Sequence, residues 1–359
     1  MCAACEFNQA KAEGFAEKLL QILNSGSLAL MMSIGHRVGL FDTMRDMGPA
    51  TSEEIAGASG LNERYVREWL NAMTVGRILE VDDKAERYQL PPEHSGFLTR
   101  ANPTDNMALF AQYIPILGQV EDRIIGCFKN GGGVSYDKYE RFHEVMAEDS
   151  GQSVLSSLIQ DILPLVPGII QKLEKGIKVL DVGCGSGKAL NLMAQTYPNS
   201  EFVGYDLCAE PLEVARKDAM EKGLSNITFE QVDLTYARTE ISFDFITAFD
   251  AIHDQARPDK VLQFIYGSLR EDGAFLMQDI DASENVNNNM DHPLGPLLYT
   301  VSTMHCMTVS LAQDGMGLGT MWGTEKAQRM LKEAGFNNVK ENRLEHDIQN
   351  CYFVCRGDS

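Results

Sequence analysis

Basic residues are scarce in this 359-residue chain: 31 Lys and Arg stand against 51 Asp and Glu, a formal net charge of −20. Such a surface repels phosphodiester backbones and anionic lipid headgroups, which argues against nucleic acid and membrane surfaces as partners. A cationic cofactor or substrate is compatible with it. Long hydrophobic runs are lacking too. The longest apolar stretch, around Leu28 to Leu40, is interrupted by Ser33, Gly35, His36 and Arg37, so no segment is expected to span a bilayer. The opening residues, MCAACEFNQAKAEGF, carry neither the basic nor the apolar region of a secretory signal. A cytoplasmic protein with reduced thiols is therefore expected. Its eight cysteines are scattered. Cys2 and Cys5 form a single CxxC with no second pair and no nearby His, which reads as a terminal pair rather than a metal site, and no metal is expected. Cys351 and Cys355 fall on one face of a strand.

What is present is ordinary globular material. Hydrophobic residues make up 44% and charged residues 23%, enough for a sizeable core, and the length favours two domains. From Ala10 to Met47 apolar residues recur at helical spacing, predicting two or three helices that stop near Gly48-Pro49. Thr51 or Ser52, followed by Glu54, caps a short helix; Gly60 turns the chain, and Asn62 caps a second helix with Tyr65, Val66, Trp69, Leu70 and Met73 on one face. A hairpin follows, Ile78 to Val81 against Tyr88 to Leu90. Helix, turn, helix, hairpin is a winged helix. Residues 1–100 carry 14 acidic and 10 basic residues, without the basic footprint of a DNA reader, so a dimerising or structural role is expected for them.

Residues 101–165 read as a helical linker along a substrate cleft. Asn102-Pro103 opens a helix holding Met107, Leu109, Phe110 and Tyr113; Gly131-Gly132-Gly133 breaks the chain; Tyr136, Tyr139 and Phe142 follow; an amphipathic helix runs from Ser153 to Pro164. These aromatics either wall a substrate cavity, with Tyr113 as a candidate contact, or fill interdomain core.

The remainder, 166–359, is organised around Ile177 to Gly187, IKVLDVGCGSG: a β-branched run, three alternate glycines and then a helical pattern. Strand, glycine turn, helix is the nucleotide-binding corner of a doubly wound α/β sheet. Further strands end in acids at Asp206, Asp233 and Asp250, a fifth is GAFLMQDI, residues 281–319 form an insertion, and an antiparallel hairpin closes the chain. A dinucleotide fingerprint needs a third glycine at position 188, where Lys188 stands; this counts against a NAD-dependent dehydrogenase.

The set Asp181-x-Gly183-x-Gly185-x-Gly187 with acid-ended strands resembles the S-adenosylmethionine-dependent methyltransferases of the seven-stranded, Rossmann-like class, over about residues 150–356. The resemblance implies an α/β fold with the last strand antiparallel, S-adenosyl-L-methionine as cofactor and S-adenosylhomocysteine as product. It implies that Gly183, Cys184, Gly185 and Gly187 approach the methionine part, Asp181 helps hold its ammonium, and Asp206 and Leu207 serve the ribose. Asp233 and Leu234 then meet the adenine, while Phe249 and Asp250 close over the methionine. A winged helix joined to this domain is the layout of the dimeric small-molecule O-methyltransferases, which implies a homodimer and a small-molecule acceptor. In that family a His-Asp pair after strand four supplies the general base; His253 and Asp254 match it, with Gln255 where the plant enzymes have Trp. A helix-capping or hydrogen-bonded structural role is the competing reading of His253.

In-line methyl transfer to a hydroxyl needs alignment and a base near neutrality, which suits imidazole, whereas a thiol needs less help. Thiol or thioether S-methylation is therefore the rival chemistry, and a cofactor-sensing transcriptional regulator the rival class. In the insertion, His292 and His305 are candidate substrate contacts, and Met290, Met304, Met307, Met316 and Met321 make either a soft cavity wall or plain core.

Overall fold

The computed structural model describes residues 7–84, 86–102, 105–238 and 241–357; Cys2, Cys5 and Pro103 lie outside the described residues. The chain folds as two compact units that meet in sequence at Pro115 and Ile116. The segment expected as a linker up to residue 165 is thus divided, and most of it belongs to the second unit.

In the first unit α1 (Gln9–Arg37) starts at Asn8, whose side chain accepts from Lys11 N. Gly39, at φ +73°, turns the chain into α2 (Leu40–Arg45). α3 (Ser52–Ser59) opens on a capping box: Thr51 accepts from Glu54 N, and Glu54 accepts from Thr51 N at 2.8 Å. Gly60 ends it in the left-handed region, and Asn62 caps α4 (Glu63–Val75). Val66, Trp69, Leu70 and Met73 of α4 are buried, and the Trp69 indole donates to Met31 O at 2.8 Å. Gly35 permits this approach, since a Cβ there would lie 2.4 Å from the Trp69 ring. β1 (Glu80–Val81) and β2 (Tyr88–Gln89) pair antiparallel as the wing, with a bridge from Tyr88 to Ala50.

Two expectations change here. Tyr65 does not share the buried face but is 81% exposed, because it sits one residue, or about 100° of helix, from Val66. Nor does a helix open at Asn102. The Asn102 side chain donates to Gly96 O and Asp105, and Asn106 accepts from Ala108 N. Such side-chain bonds compete with helix formation, and regular structure resumes only in a tight turn at Phe110–Gln112 and the helix Tyr113–Gly118.

The second unit is a seven-stranded sheet. Its strands are β3 (Lys178–Val182), β4 (Glu201–Asp206), β5 (Ile227–Gln231), β6 (Phe243–Phe249), β7 (Leu269–Ile280), β8 (Asn338–Asn342) and β9 (Asn350–Arg356), in the order β5-β4-β3-β6-β7-β9-β8. The pairs from β5 through β7 are parallel; β9 is antiparallel to both β7 and β8. Alternate residues bury on opposite faces. Val179, Phe245, Leu276 and Tyr352 pack on one side, and Leu180, Ile246, Phe275 and Phe353 on the other, as a sheet covered on both faces requires. Chain order reverses at β3, between β4 and β6, which opens a crevice beyond the strands' carboxyl ends. The expected Ser153–Pro164 helix is instead two wide π-type turns, Gly151–Leu155 and Leu158–Ile162, and a tight turn at Leu163–Leu165. Its buried residues Val154, Leu158 and Ile162 recur every four positions, a spacing that wide turns keep on one face.

The burial on α4 has a direct consequence. Leu70→Ala, at a fully buried position, is expected to destabilise the chain by about 2–5 kcal/mol, and Tyr65→Ala by less than about 0.5 kcal/mol, in urea unfolding followed by Trp fluorescence.

Candidate active site

The turn between β3 and the helix Lys188–Thr196 is built by its glycines. Gly183, Gly185 and Gly187 all lie at positive φ, +70°, +51° and +65°. Gly187 is forced, since a Cβ there would stand 2.6 Å from the Phe229 ring and 2.7 Å from the Ala215 Cβ. Gly185 is different: space for a Cβ is open, and its surface faces a cavity. Its N–H donates to Asp206 Oδ2 at 2.8 Å, and Cys208 N donates to Oδ1 at 2.8 Å, so Asp206 ties β4 to the glycine loop. Burial raises the Asp206 carboxyl above its ordinary range, with these two donors opposing.

The cavity is partly open to solvent and lies at the switch point. Its walls bring together most of the residues singled out from sequence. Asp181, Gly183, Cys184 and Gly185 line one side; Asp206, Leu207, Asp233 and Leu234 continue it; Phe249, Asp250 and Asp254 complete it. Gly187 stands behind the loop. Asp181 accepts from the Thr247 hydroxyl at 2.7 Å, yet burial pushes its carboxyl up to about 7. Asp250, at φ +52°, is also pushed up to about 7 by burial, against the pull of His253. Asp233 accepts from Thr235 N at 2.9 Å.

His253 does not line the cavity; it is buried behind Asp254. Its Nδ1 donates to Asp279 Oδ1 at 2.8 Å, its Nε2 makes a 3.0 Å ion-pair contact with Asp254 Oδ1, and Asp250 Oδ1 is 3.8 Å from Nδ1. Burial pulls the imidazole pKa down, but Asp279 and Asp254 outweigh it and hold His253 well above its ordinary value. Burial pushes Asp254 up, and His253 reverses this to bring it to about 2. The result is an imidazolium between two carboxylates. Ligand atoms of His253, Asp254 and Cys306 lie within 4.8 Å of one another, as do those of Asp250, His253 and Asp279. Both imidazole nitrogens face carboxylates at ion-pair distance, while Asp250 Oδ1, Asp254 Oδ1 and Asp279 Oδ2 are buried without a hydrogen-bond partner among the described residues.

The insertion histidines fall elsewhere. His292 spends Nε2 on Asp281 O and accepts from Leu294 N on Nδ1, so it holds its own loop together. His305 is fully buried and stacked on Phe142 at 3.5 Å, and burial pulls it down to about 4, leaving it neutral. Tyr113 is buried in the first unit. Of the methionines, Met321 is core, while Met290 and Met316 are exposed. Cys351 and Cys355 are free thiols buried in β9.

Of the aromatics expected either to wall a cavity or to fill core, Tyr136 and Phe142 line this cavity, and the Tyr136 hydroxyl donates to Asp254 Oδ2 at 3.0 Å. The structure adds residues that sequence reasoning missed, His143 at the cavity wall among them. Asp279 braces His253, and the Trp322 indole donates to that same Asp279 Oδ1 at 2.9 Å. Asp279 was findable, being an acid at the carboxyl end of a central strand. Nothing in the local sequence marks Trp322.

With this geometry established, two domain families match the chain: an Rv2258c-like winged HTH domain over residues 26–100 and a methyltransferase domain over residues 173–335. The chain thus carries a winged helix-turn-helix domain followed by a methyltransferase domain over those residues. Its fold is that of solved O-methyltransferases. Mitomycin 7-O-methyltransferase MmcR superposes with a TM-score of 0.70 at 14% identity, covering 98% of this chain and all of that one. Human N-acetylserotonin methyltransferase in complex with SAM superposes with a TM-score of 0.67 at 17% identity, covering 99% of this chain and all of that one. In sequence, ubiquinone biosynthesis O-methyltransferase of Actinobacillus pleuropneumoniae serotype 5b (strain L20) is 32% identical over 155 residues, 40% of this chain. The match spans 63% of that relative's length.

The two glycines separate packing from ligand access. Gly187→Ala, which must displace Phe229 and Ala215, is expected to cost about 2–4 kcal/mol of stability. Gly185→Ala meets only the backbone cost of about 1–2 kcal/mol and acts on ligand affinity. Paired thermal unfolding and S-adenosylhomocysteine titration of both variants check this.

Proposed function

We propose that the chain transfers a methyl group from S-adenosylmethionine to the hydroxyl of a small molecule. The residues present fit that cofactor. The loop at Gly185 has room where a side chain would stand, Asp206 presents a carboxylate for a ribose diol, and Asp181 is a buried acid whose raised pKa an ammonium would relieve. When bound, the cofactor supplies an electrophilic methyl on a sulfonium. Everything else asked of the chain is alignment, exclusion of water and removal of one proton.

The observation that carries this reading is His253 between Asp254 and Asp279, with Asp254 alone reaching the cavity wall. With the cofactor and acceptor bound, Asp254 at the cavity wall would take the acceptor's hydroxyl proton and pass it on to Nε2 of neutral His253. Asp279 holds Nδ1–H and stabilises the imidazolium that forms. A second reading, S-methylation of a thiol, is favoured by the resting protonation of the imidazole, because a thiolate needs no base. We further infer a homodimer, supported by Phe15, Leu19, Leu20, Ile22 and Leu23, which α1 leaves exposed.

The pH dependence has a definite sign. The His253 pKa lies above 6.5, so the base form grows as pH rises, and the rate with a hydroxyl acceptor increases on an alkaline limb well above the ordinary histidine range. His253→Gln is expected to lower hydroxyl methylation roughly 10²–10⁴-fold and abolish that limb, while thiol methylation falls less than about tenfold. Mass spectrometry of acceptor panels incubated with methyl-deuterated S-adenosylmethionine reads both. Equal losses on the two acceptor classes would contradict the role given to His253.

A further inference from the structure

Both carboxylates that hold His253 carry a second donor from a distant part of the second unit. Tyr136 donates to Asp254 Oδ2 at 3.0 Å, and Trp322 donates to Asp279 Oδ1 at 2.9 Å. The line Tyr136–Asp254–His253–Asp279–Trp322 is continuous, with contacts of 3.0, 3.0, 2.8 and 2.9 Å.

Neither donor is placed by chance. Gly133 packs so closely on the Met307–Leu311 helix that a Cβ would lie 2.0 Å from Thr308 O and 2.3 Å from Ala312 N. Val134 N then donates to the Thr308 hydroxyl at 2.9 Å, and the Tyr139 hydroxyl donates to Met304 O at 2.5 Å. The glycine run is therefore a seat that clamps residues 133–139 onto the insertion and fixes Tyr136 at the cavity edge. Gly323, at φ +86°, has Glu284 N 2.1 Å from where a Cβ would stand, which fixes the backbone beside Trp322 in the same way.

We propose that Tyr136 and Trp322 are positioning residues that set the proton affinity of His253 from outside, one through each flanking carboxylate. The inference rests on the reading of His253 as the base. Each donor draws negative charge from its carboxylate and weakens that carboxylate's hold on the imidazolium. Without them the two aspartates would keep His253 protonated further into the alkaline range and leave less base at neutrality. The other groups facing His253 do not compete for this role. Asp250, at the end of β6, approaches Nδ1 only to 3.8 Å. The Cys306 thiol, from the wide turn Ser302–Cys306, is pushed by burial to about 12 and is uncharged at neutrality. His305, from the same turn, is pulled down by burial to about 4 and is uncharged at neutrality.

The test needs no acceptor. His253 is titrated by NMR in the full-length chain labelled on histidine, its resonance assigned with His253→Gln. Tyr136→Phe keeps the ring and removes the donor, and Trp322→Phe removes the indole N–H with a smaller aromatic ring in its place. Each is expected to raise the His253 pKa by roughly half a unit or more, whereas Asp279→Asn lowers it. A purely structural role would perturb many histidines or none, without this opposition of sign. An unchanged or lowered His253 pKa in either phenylalanine variant overturns the proposal; if Trp322→Phe does not fold, Tyr136→Phe decides alone. The failure of the base assignment is separately visible: His253→Gln would then retain hydroxyl methylation while the shifts in the phenylalanine variants still appear.

Discussion

Burying carboxylates is costly unless donors reach them, and that constraint shapes the end of the sheet where the cavity lies. Parallel strands finish side by side at their carboxyl ends, and Asp181, Asp206 and Asp279 stand there, largely out of water. An ionised carboxylate in such a place is costly unless hydrogen bonds replace its hydration. Each draws its donors from a different element: Thr247 of β6 for Asp181, the Gly185 and Cys208 amides for Asp206, His253, Trp322 and Ile280 N for Asp279. The charges thereby lock the loops that surround them. The glycine corner is held to β4 by an acid, and the loop after β6 is held to β7 by another.

The same requirement explains how the candidate base is poised. An imidazole as deeply buried as His253 would ordinarily be neutral, and here the two aspartates reverse that preference. Its location behind Asp254 keeps the ring out of the cavity and leaves a carboxylate at the cavity wall. Tyr136 belongs to this arrangement through its hydrogen bond to Asp254. The insertion, with neutral His305 stacked on Phe142, builds the scaffold on which Tyr136 rests rather than supplying charge of its own.

Much of this was legible in the sequence because it is local. The capping box at Thr51, the left-handed turn at Gly60, the β3 glycine corner and the acid-ended strands are short patterns with a direct backbone cause, and the parallel pairing follows from alternating strand and helix periods. What escaped depends on contacts between residues far apart in the chain. Trp322 meets Asp279 across 43 positions and Tyr136 meets Asp254 across 118, and no spacing rule reaches that far. The expected helices at Asn102 and Ser153 failed for a different reason. Side-chain bonds of Asn102 and Asn106 displaced the first, and wide turns carried the Val154, Leu158 and Ile162 stripe of the second. His292 shows the limit of residue type as evidence, since an insertion histidine served equally well as a brace for its own loop.

The central claim is that the cavity beside Gly185 and Asp206 takes S-adenosylmethionine. Titration calorimetry of the full-length chain with S-adenosylmethionine, and with NAD under the same conditions, tests it most directly. The account predicts one saturable site for S-adenosylmethionine that Asp206→Ala weakens by roughly tenfold or more, from loss of hydrogen bonds to a charged group, and no saturable heat with NAD. Equal or tighter binding of NAD, or S-adenosylmethionine binding that Asp206→Ala leaves unchanged, would contradict it.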